Sequence, residues 1–266
     1  MSPALTVWVK GIGLWAPGAA DWHAFVDVAR GAASPGSTER PVADMLPPNE
    51  RRRAPESVLL AAAAAGQAVR MSGLDAATLP CVFASAHGDQ AITDYMCETL
   101  ATAPTELSPT RFHNSVHNAP AGYWTIATRC HASSSAISGG ETSFGAALLE
   151  AAALAVADEC DVLLASYDIA GTGPLGEMTS STGPFASALV LSPRPEGAAA
   201  CLRISPEPGN SGMEASGDEW FDAIVASNPS AHGLPLMTAL ARTRSTALRI
   251  GAARGLDLHV DLAFAA

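Results

Sequence analysis

Charge and aromatic rings are scarce in this chain of 266 residues, at 15% and 6% of the sequence. Positive charge is scarcer still: 15 Lys and Arg stand against 26 Asp and Glu, for a net charge of -11. That balance gives no footprint for a nucleic acid or an anionic lipid surface, and neither is expected as a partner. The one dense basic run, Arg51-Arg52-Arg53, reads as a solvated helix entrance, with a phosphate clamp as the alternative. The five cysteines (Cys81, Cys97, Cys130, Cys160, Cys201) contain no Cys-x-x-Cys pair and are odd in number. No disulfide framework, zinc site or other metal site is expected from them, and the implied compartment is a reducing cytoplasm. The first apolar run contains Lys10, Gly11 and Gly13, which does not suit a signal peptide. Apolar runs are broken by turn residues, so no membrane span is expected.

What is abundant is apolar surface, 48% of residues, enough for a large core or extensive subunit contacts. Leu5–Trp15 alternates as a strand, Asp21–Ala29 has helical periodicity, and residues 31–48 form a Pro/Gly/Ser-rich loop. Ser57–Met71 predicts a helix ended by Gly73, Leu79–Ala86 a strand and Ile92–Leu100 a short helix. Then follow a loop over Pro104–Pro109, a helix over Ala119–Thr128, a strand over Ala132–Ser138, a helix over Thr142–Ala157 and a strand over Asp161–Tyr167. The Thr142–Ala157 helix is apolar nearly all round, which places it in an interior between sheets. Gly171–Gly183 and Pro206–Gly217 read as loops, Phe185–Leu191 and Ala199–Ile204 as strands around a Pro193–Gly197 turn. Helices over Glu219–Ala226 and Leu234–Arg242 and a strand over Leu256–Phe264 complete the chain. Alternation of strands and helices predicts βαβ units and a largely parallel sheet.

One order of motifs is more specific. Asn118-Ala-Pro-Ala-Gly122 leads through a helix to the small-residue strand around Ser135, then to Gly139-Gly140-Glu141-Thr142-Ser143, a long apolar helix carrying Phe144 and Leu148, and Glu159-Cys160-Asp161 opening a strand. This order resembles the N-terminal half of β-ketoacyl synthases of the thiolase-like superfamily. Gly11-Ile-Gly13, Gly73-Leu-Asp75, Ser108-Pro109 and the strand Gly183–Leu191 match the same half. The resemblance covers residues 5 to about 192 and is loose thereafter. It implies a truncated thiolase-like α/β fold of mostly parallel sheets with a buried central helix. Residues 1–192 would form the ketosynthase-like half, and 193–266 a reduced C-terminal half on the same core.

The resemblance also places Glu141 where the family carries its nucleophilic cysteine, and a carboxylate cannot form the acyl-thioester. The family's two catalytic histidines have no clear counterpart. Ala231-His232-Gly233 lacks the Thr-Gly-Thr that should follow, so His232 is either a relic or a loop histidine. No catalytic set is intact. What is implied is a non-condensing, chain-length-factor-like subunit that pairs with a full-length type II β-ketoacyl synthase, or with itself, and meets acyl carrier protein, for which Arg51–Arg53 is a second candidate contact. Asn118, Gly122, Ser135, Gly140, Glu141, Thr142, Ser143, Phe144 and Leu148 would lie in the acyl pocket or dimer interface. Fatty-acid-like, polyketide or aryl-polyene assembly is the implied setting. The alternatives are a residual malonyl-thioester decarboxylase or acyl hydrolase using Glu141 or Ser143, and a homodimer that binds carrier protein without catalysis. No cofactor is implied. His113-x-x-x-His117 has metal-ligand spacing without the Glu of a metalloprotease helix, Ser143-Phe-Gly145 lacks the leading glycine of a hydrolase elbow, and Gly171-Thr-Gly173 lacks the context of a nucleotide loop.

Overall fold

A computed structural model describes residues 4–179, 181–210 and 216–264. The chain runs β1 (Leu5–Trp15), α1 (Trp22–Ala29), α2 (Pro48–Arg53), α3 (Glu56–Ser72), β2 (Cys81–Ala84), α4 (Gln90–Thr102), α5 (Pro109–Asn114), α6 (Ala119–Thr128), β3 (Ser134–Ile137), α7 (Ser143–Ala157), β4 (Val162–Asp168), α8 (Gly173–Met178), β5 (Phe185–Ser192), β6 (Ala200–Pro208), α9 (Glu219–Ser227), α10 (Leu234–Ala241), β7 (Thr246–Ala253) and β8 (Leu256–Ala263). Asp21, Asp89 and Asp218 cap α1, α4 and α9 through their carboxylates. Gly73 ends α3 in the left-handed conformation that a residue with a Cβ avoids, at φ 68.

All eight strands join one sheet in the order β3-β2-β4-β5-β1-β6-β8-β7. Only β2 with β3 and β2 with β4 run parallel; the other five pairings are antiparallel. The expectation of mostly parallel sheets is therefore corrected. Parallel pairing needs a crossover helix, and only the β2–β3–β4 stretch is joined by helices that cover the sheet this way. The β7–β8 connection is a tight turn through Gly255 at φ 81. β5 and β6 do not pair with each other but flank β1 on its two sides. The 192/193 boundary thus falls between two strands of the same sheet.

Side chains alternate between two cores. Cys81 and Phe83 of β2 and Leu163, Ala165 and Tyr167 of β4 meet α3 and α6. Val82, Ala84, Val162 and Leu164 face the other way, onto α7. The glycines of β1 explain how the first of these layers closes. A Cβ at Gly11 would collide with the carbonyl of Ala68, and one at Gly13 with that of Ala64. The Gly-x-Gly spacing puts both on one face of the strand, so the alanine-rich α3 can lie directly on it.

α7 carries a single charge, the exposed Glu150, and the sheet covers most of the helix, leaving Leu149, Ala153 and Leu154 half-buried on the Glu150 side. It packs on β1, β2 and β4 on one side and on β7 on the other. At Gly145 it approaches the Gly251 carbonyl of β7 too closely for any side chain. The helix lies between two arms of a single curled sheet rather than between two sheets. With the turn before it, α7 spans Gly140–Ala157, long and apolar enough to cross a membrane by composition. Its Phe144, Ala147, Leu148, Ala151, Ala152 and Ala155 are nevertheless buried in this core. On the outer edge of the same core α1 and α10 end against each other. Arg30 donates to the Ala241 carbonyl and Arg242 to the Ala29 carbonyl, each at 2.7 Å.

The close approach at β1 yields a prediction. Gly13→Ala should destabilise the fold by about 1–3 kcal/mol, the usual cost of forcing extra atoms into a packed core. Denaturant unfolding of the purified variant measures it, and an unchanged midpoint would show that α3 does not press on β1 there.

Candidate functional site at the sheet edge

β3 is an edge strand with an exposed or half-exposed face, Ser134 to Ile137. Cys81 N–H donates to the Ser133 carbonyl at 3.0 Å and Ser85 N–H to the Ile137 carbonyl at 3.1 Å. In a parallel ladder alternate residues bond to one neighbour, so Ser133, Ser135 and Ile137 serve β2 while the backbones of Ser134 and Ala136 point outward. These outward groups form a short unpaired ladder of the kind that accepts another strand.

α6 lies beside this edge. Asn118 is its N-cap by position; its exposed side chain makes no capping bond, while its carbonyl accepts from Gly122 N–H at 2.9 Å. The approach to α6 is fixed by His117, whose Nε2 meets the Ser85 carbonyl at 3.0 Å, and by Tyr123, whose hydroxyl donates to Asn114 at 3.2 Å. A cleft of about 500 Å³ opens on this face, lined among others by Val116, Asn118, Gly122, Tyr123 and Ile126. Ile126 is 77% exposed, Phe112 58% and Val116 54%, so α5, α6 and the loop between them show solvent a run of large apolar side chains. Exposed apolar surface of this extent marks an interaction face.

Between β3 and α7 the chain makes a strand–turn–helix elbow, with a 3-10 turn over Gly140–Thr142. The elbow is tied by its own residues. Gly139 N–H donates to Ser143 Oγ at 2.9 Å, Ser143 Oγ donates to the Gly140 carbonyl at 2.7 Å, and Thr142 Oγ1 donates to the Gly139 carbonyl at 2.8 Å. Gly140 holds φ 59, again a glycine conformation. Ser143 is fully buried and both bonds of its hydroxyl stay within the turn, so no base reaches it. Glu141 is exposed, and its carboxylate has no hydrogen bond or ion pair among the described residues. It sits at the start of α7, where the helix end favours negative charge. Phe144 and Leu148 are core in the isolated chain, at 1% and 0% exposure.

His232 is half-buried in a 3-10 helix over Pro229–Gly233 that packs against the Gly140–Thr142 turn. The Phe144 ring fills the place a side chain at Gly233 would take. The fold therefore brings the His232 segment to the Glu141 elbow, while His259 lies on β8, its Nε2 3.1 Å from Asp261. Among the described residues no group of three His, Cys, Asp or Glu could hold a metal ion. The cysteines are unpaired; the Cys81 thiol is pushed up to about 12 by burial and by Cys130 beside it, which keeps it protonated and unreactive.

Behind the elbow lies a polar centre that sequence reasoning missed. Asp168 ends β4 at 1% exposure. Ser85 Oγ and Ser230 Oγ each donate to its carboxylate at 2.6 Å, with the N–H groups of Ala86 at 3.1 Å and His87 at 3.2 Å. Burial raises its pKa, and the hydrogen bonds from Ser230, Ser85, Ala86 and His87 oppose the rise. The one signal available was a carboxylate directly following a run of strand residues that all proved buried, Val162 to Tyr167.

The family model for the beta-ketoacyl synthase N-terminal domain matches residues 22–254, and the chain belongs to that family. No curated protein matches it. Among solved structures it is similar to a chain from the complex of the ketosynthase ApeO with its chain length factor ApeC from Xenorhabdus doucetiae, with a TM-score of 0.73 and 22% identity over 97% of this chain and 99% of that one. A chain from AntDE:AntF, a type II PKS acyl-carrier protein in complex with its ketosynthase bound to the hexaketide, gives a TM-score of 0.76 at 14% identity, covering 100% of both chains. The ishigamide ketosynthase/chain length factor gives 0.71 at 12% identity, over 98% of this chain and 100% of that one. At these identities the likeness is one of fold.

Asp168 sets a pH dependence. A carboxyl whose folded pKa is raised binds its proton more tightly in the folded chain than in the unfolded one. Its contribution to stability is full below the ordinary value of 3.8 and is lost as pH rises through the raised folded value. The stability difference between wild type and Asp168→Asn should therefore shrink as pH climbs through that window, read by urea unfolding across pH. A difference that does not vary with pH would mean that Asp168 titrates normally.

Proposed function

We propose that the chain is a non-condensing, chain-length-factor-like subunit that pairs with a β-ketoacyl synthase in fatty-acid-like, polyketide or aryl-polyene biosynthesis. The observation that carries this reading is the elbow: a carboxylate, Glu141, tops the strand–turn–helix turn and no cysteine lies on it. The resemblance assigns that position to the nucleophile. An unpaired edge strand and an apolar cleft lie beside it, which suits a subunit whose chemistry is completed by another chain. Similarity in fold to chains from ketosynthase and chain length factor complexes supports the same reading. The exposed arginines of α2 stand near the cleft rim at Pro47 and Glu50, which suits contact with an acidic carrier protein. Five unpaired cysteines suit a cytoplasmic setting.

Two experiments test it. Incubated with an acyl-carrier thioester, the purified protein should show no acyl adduct by intact mass, because Ser143 is locked in its turn and Glu141 cannot form a thioester. A stable adduct on either residue would favour the residual-enzyme alternative. Ala136→Pro removes an N–H that points away from β2, so it should weaken pairing with the ketosynthase or with a second copy while leaving the chain folded. Sedimentation at micromolar concentration reads this, and a wild-type chain that stays monomeric both alone and with its ketosynthase would refute the pairing.

A further inference from the structure

We propose that Asp168 is a positioning residue, whose carboxylate sets the loop after β2, the His232 segment and the Glu141 elbow in register with one another. The inference rests on the proposed function in that it makes this register a condition for presenting the partner-facing edge. Four donors converge on the carboxylate: Ser85 Oγ and His87 N–H on Oδ1, and Ser230 Oγ and Ala86 N–H on Oδ2. Three of the donors belong to the loop after β2 and one to the His232 segment, and the further bonds of Ala86, Ser85 and Ser230 reach three different parts of the site. Ala86 accepts through its carbonyl from Ser138 Oγ at 2.9 Å, and Ser138 directly precedes the elbow glycine Gly139. Ser85 receives Gly88 N–H on its hydroxyl at 2.8 Å, and its carbonyl meets His117, which fixes the entry to α6. Ser230 belongs to the 3-10 helix of His232, and its hydroxyl also receives that of Ser166 at 3.0 Å. That helix is tied a second time, because Asn228 Nδ2 donates to the Asp168 carbonyl at 2.9 Å and to that of Gly183 at 2.6 Å, while Asn228 Oδ1 accepts from Ser230 N–H at 2.9 Å.

The ionised carboxyl is the form that meets all four donors, and burial of its charge is what raises its pKa against them. It offers two acceptor oxygens with two lone pairs each and no donor, whereas the amide of an asparagine would set an NH2 against two of the four incoming donors. An apolar residue would strand two backbone N–H groups and two hydroxyls in the interior, each costing about 1–3 kcal/mol. None of the ion pairs among the described residues involves Asp168. A buried carboxylate without a cation is a poor source of stability, and its gain is a specific arrangement of the groups around it.

Hydrogen–deuterium exchange of the full-length protein tests the proposal without any partner. Asp168→Asn should speed exchange about tenfold or more in residues 85–88, 138–143 and 229–233, from the loss of charge-assisted bonds, with α3 and β1 unchanged. Unchanged exchange in those three segments would overturn it. A uniform rise that includes α3 would also overturn it, by making Asp168 an ordinary core residue. If the asparagine variant does not fold, Ser230→Ala decides: faster exchange at 229–233 and 140–142 with α3 protected supports the proposal, and equal protection everywhere overturns it. Binding of the same variants to a β-ketoacyl synthase is read separately. A wild-type chain that binds none refutes the proposed function and leaves the exchange result standing.

Discussion

The Phe144, Leu148, Ala151, Ala152 and Ala155 face of α7 has to be hidden, and most of the architecture follows from that requirement. It has Leu, Phe and Ala where a surface helix would carry charge, and at Gly145 it has no side chain at all. One arm of the sheet, β1, β2 and β4, supplies the first cover, and the β7 edge supplies the second by coming within backbone contact of Gly145. The strands past residue 192 are not an appendage: β6 continues the sheet from β1, and β8 and β7 extend it around the helix. The elbow that opens α7 is held by the same packing, with Phe144 against Gly233 and the His232 segment against the Gly140–Thr142 turn.

Around this frame the site divides into a closed back and an open front. The back is polar and closed, with Asp168 taking four hydrogen bonds at the end of a fully buried strand. The front consists of β3, α6 and the residues before α6, where backbone groups lie unpaired and Ile126, Phe112 and Val116 lie bare. A turn bearing the exposed carboxylate of Glu141 thus borders an unfinished surface.

Much of this was legible in the residues. The bounds of β1 and α6 coincide with the alternation of Leu5–Trp15 and the helix read over Ala119–Thr128: Thr6, Val7, Trp8 and Val9 are strand formers, and Pro120 in the first turn suits a helix start. Glu141 lies in the 3-10 turn between β3 and α7, in the order of strand, turn and helix read from the residues. β7 escaped notice because Thr246–Ala253 is rich in Ala and Gly with a weak alternation, and it forms by pairing with β8 and covering α7 rather than by its own propensity. The short helix α8 lies in the Gly171–Gly183 stretch read as loop, and α5 in residues given no element beyond the Pro104–Pro109 loop, since six residues that open near a proline carry no period. Strand direction was misjudged because a sequence shows that helices intervene, not which strands pair in the sheet. The Asp168 centre was invisible for a related reason: Ser85, Asp168 and Ser230 are separated by more than sixty residues at each step and converge only in the fold.

The most direct measurement is the product profile of the reconstituted system: the β-ketoacyl synthase, its acyl carrier protein and malonyl units, with and without this chain. The account predicts that the chain alone turns over nothing, and that adding it to the ketosynthase sets or sharpens the length of the product. An identical profile in its absence, or turnover by this chain alone, would contradict it.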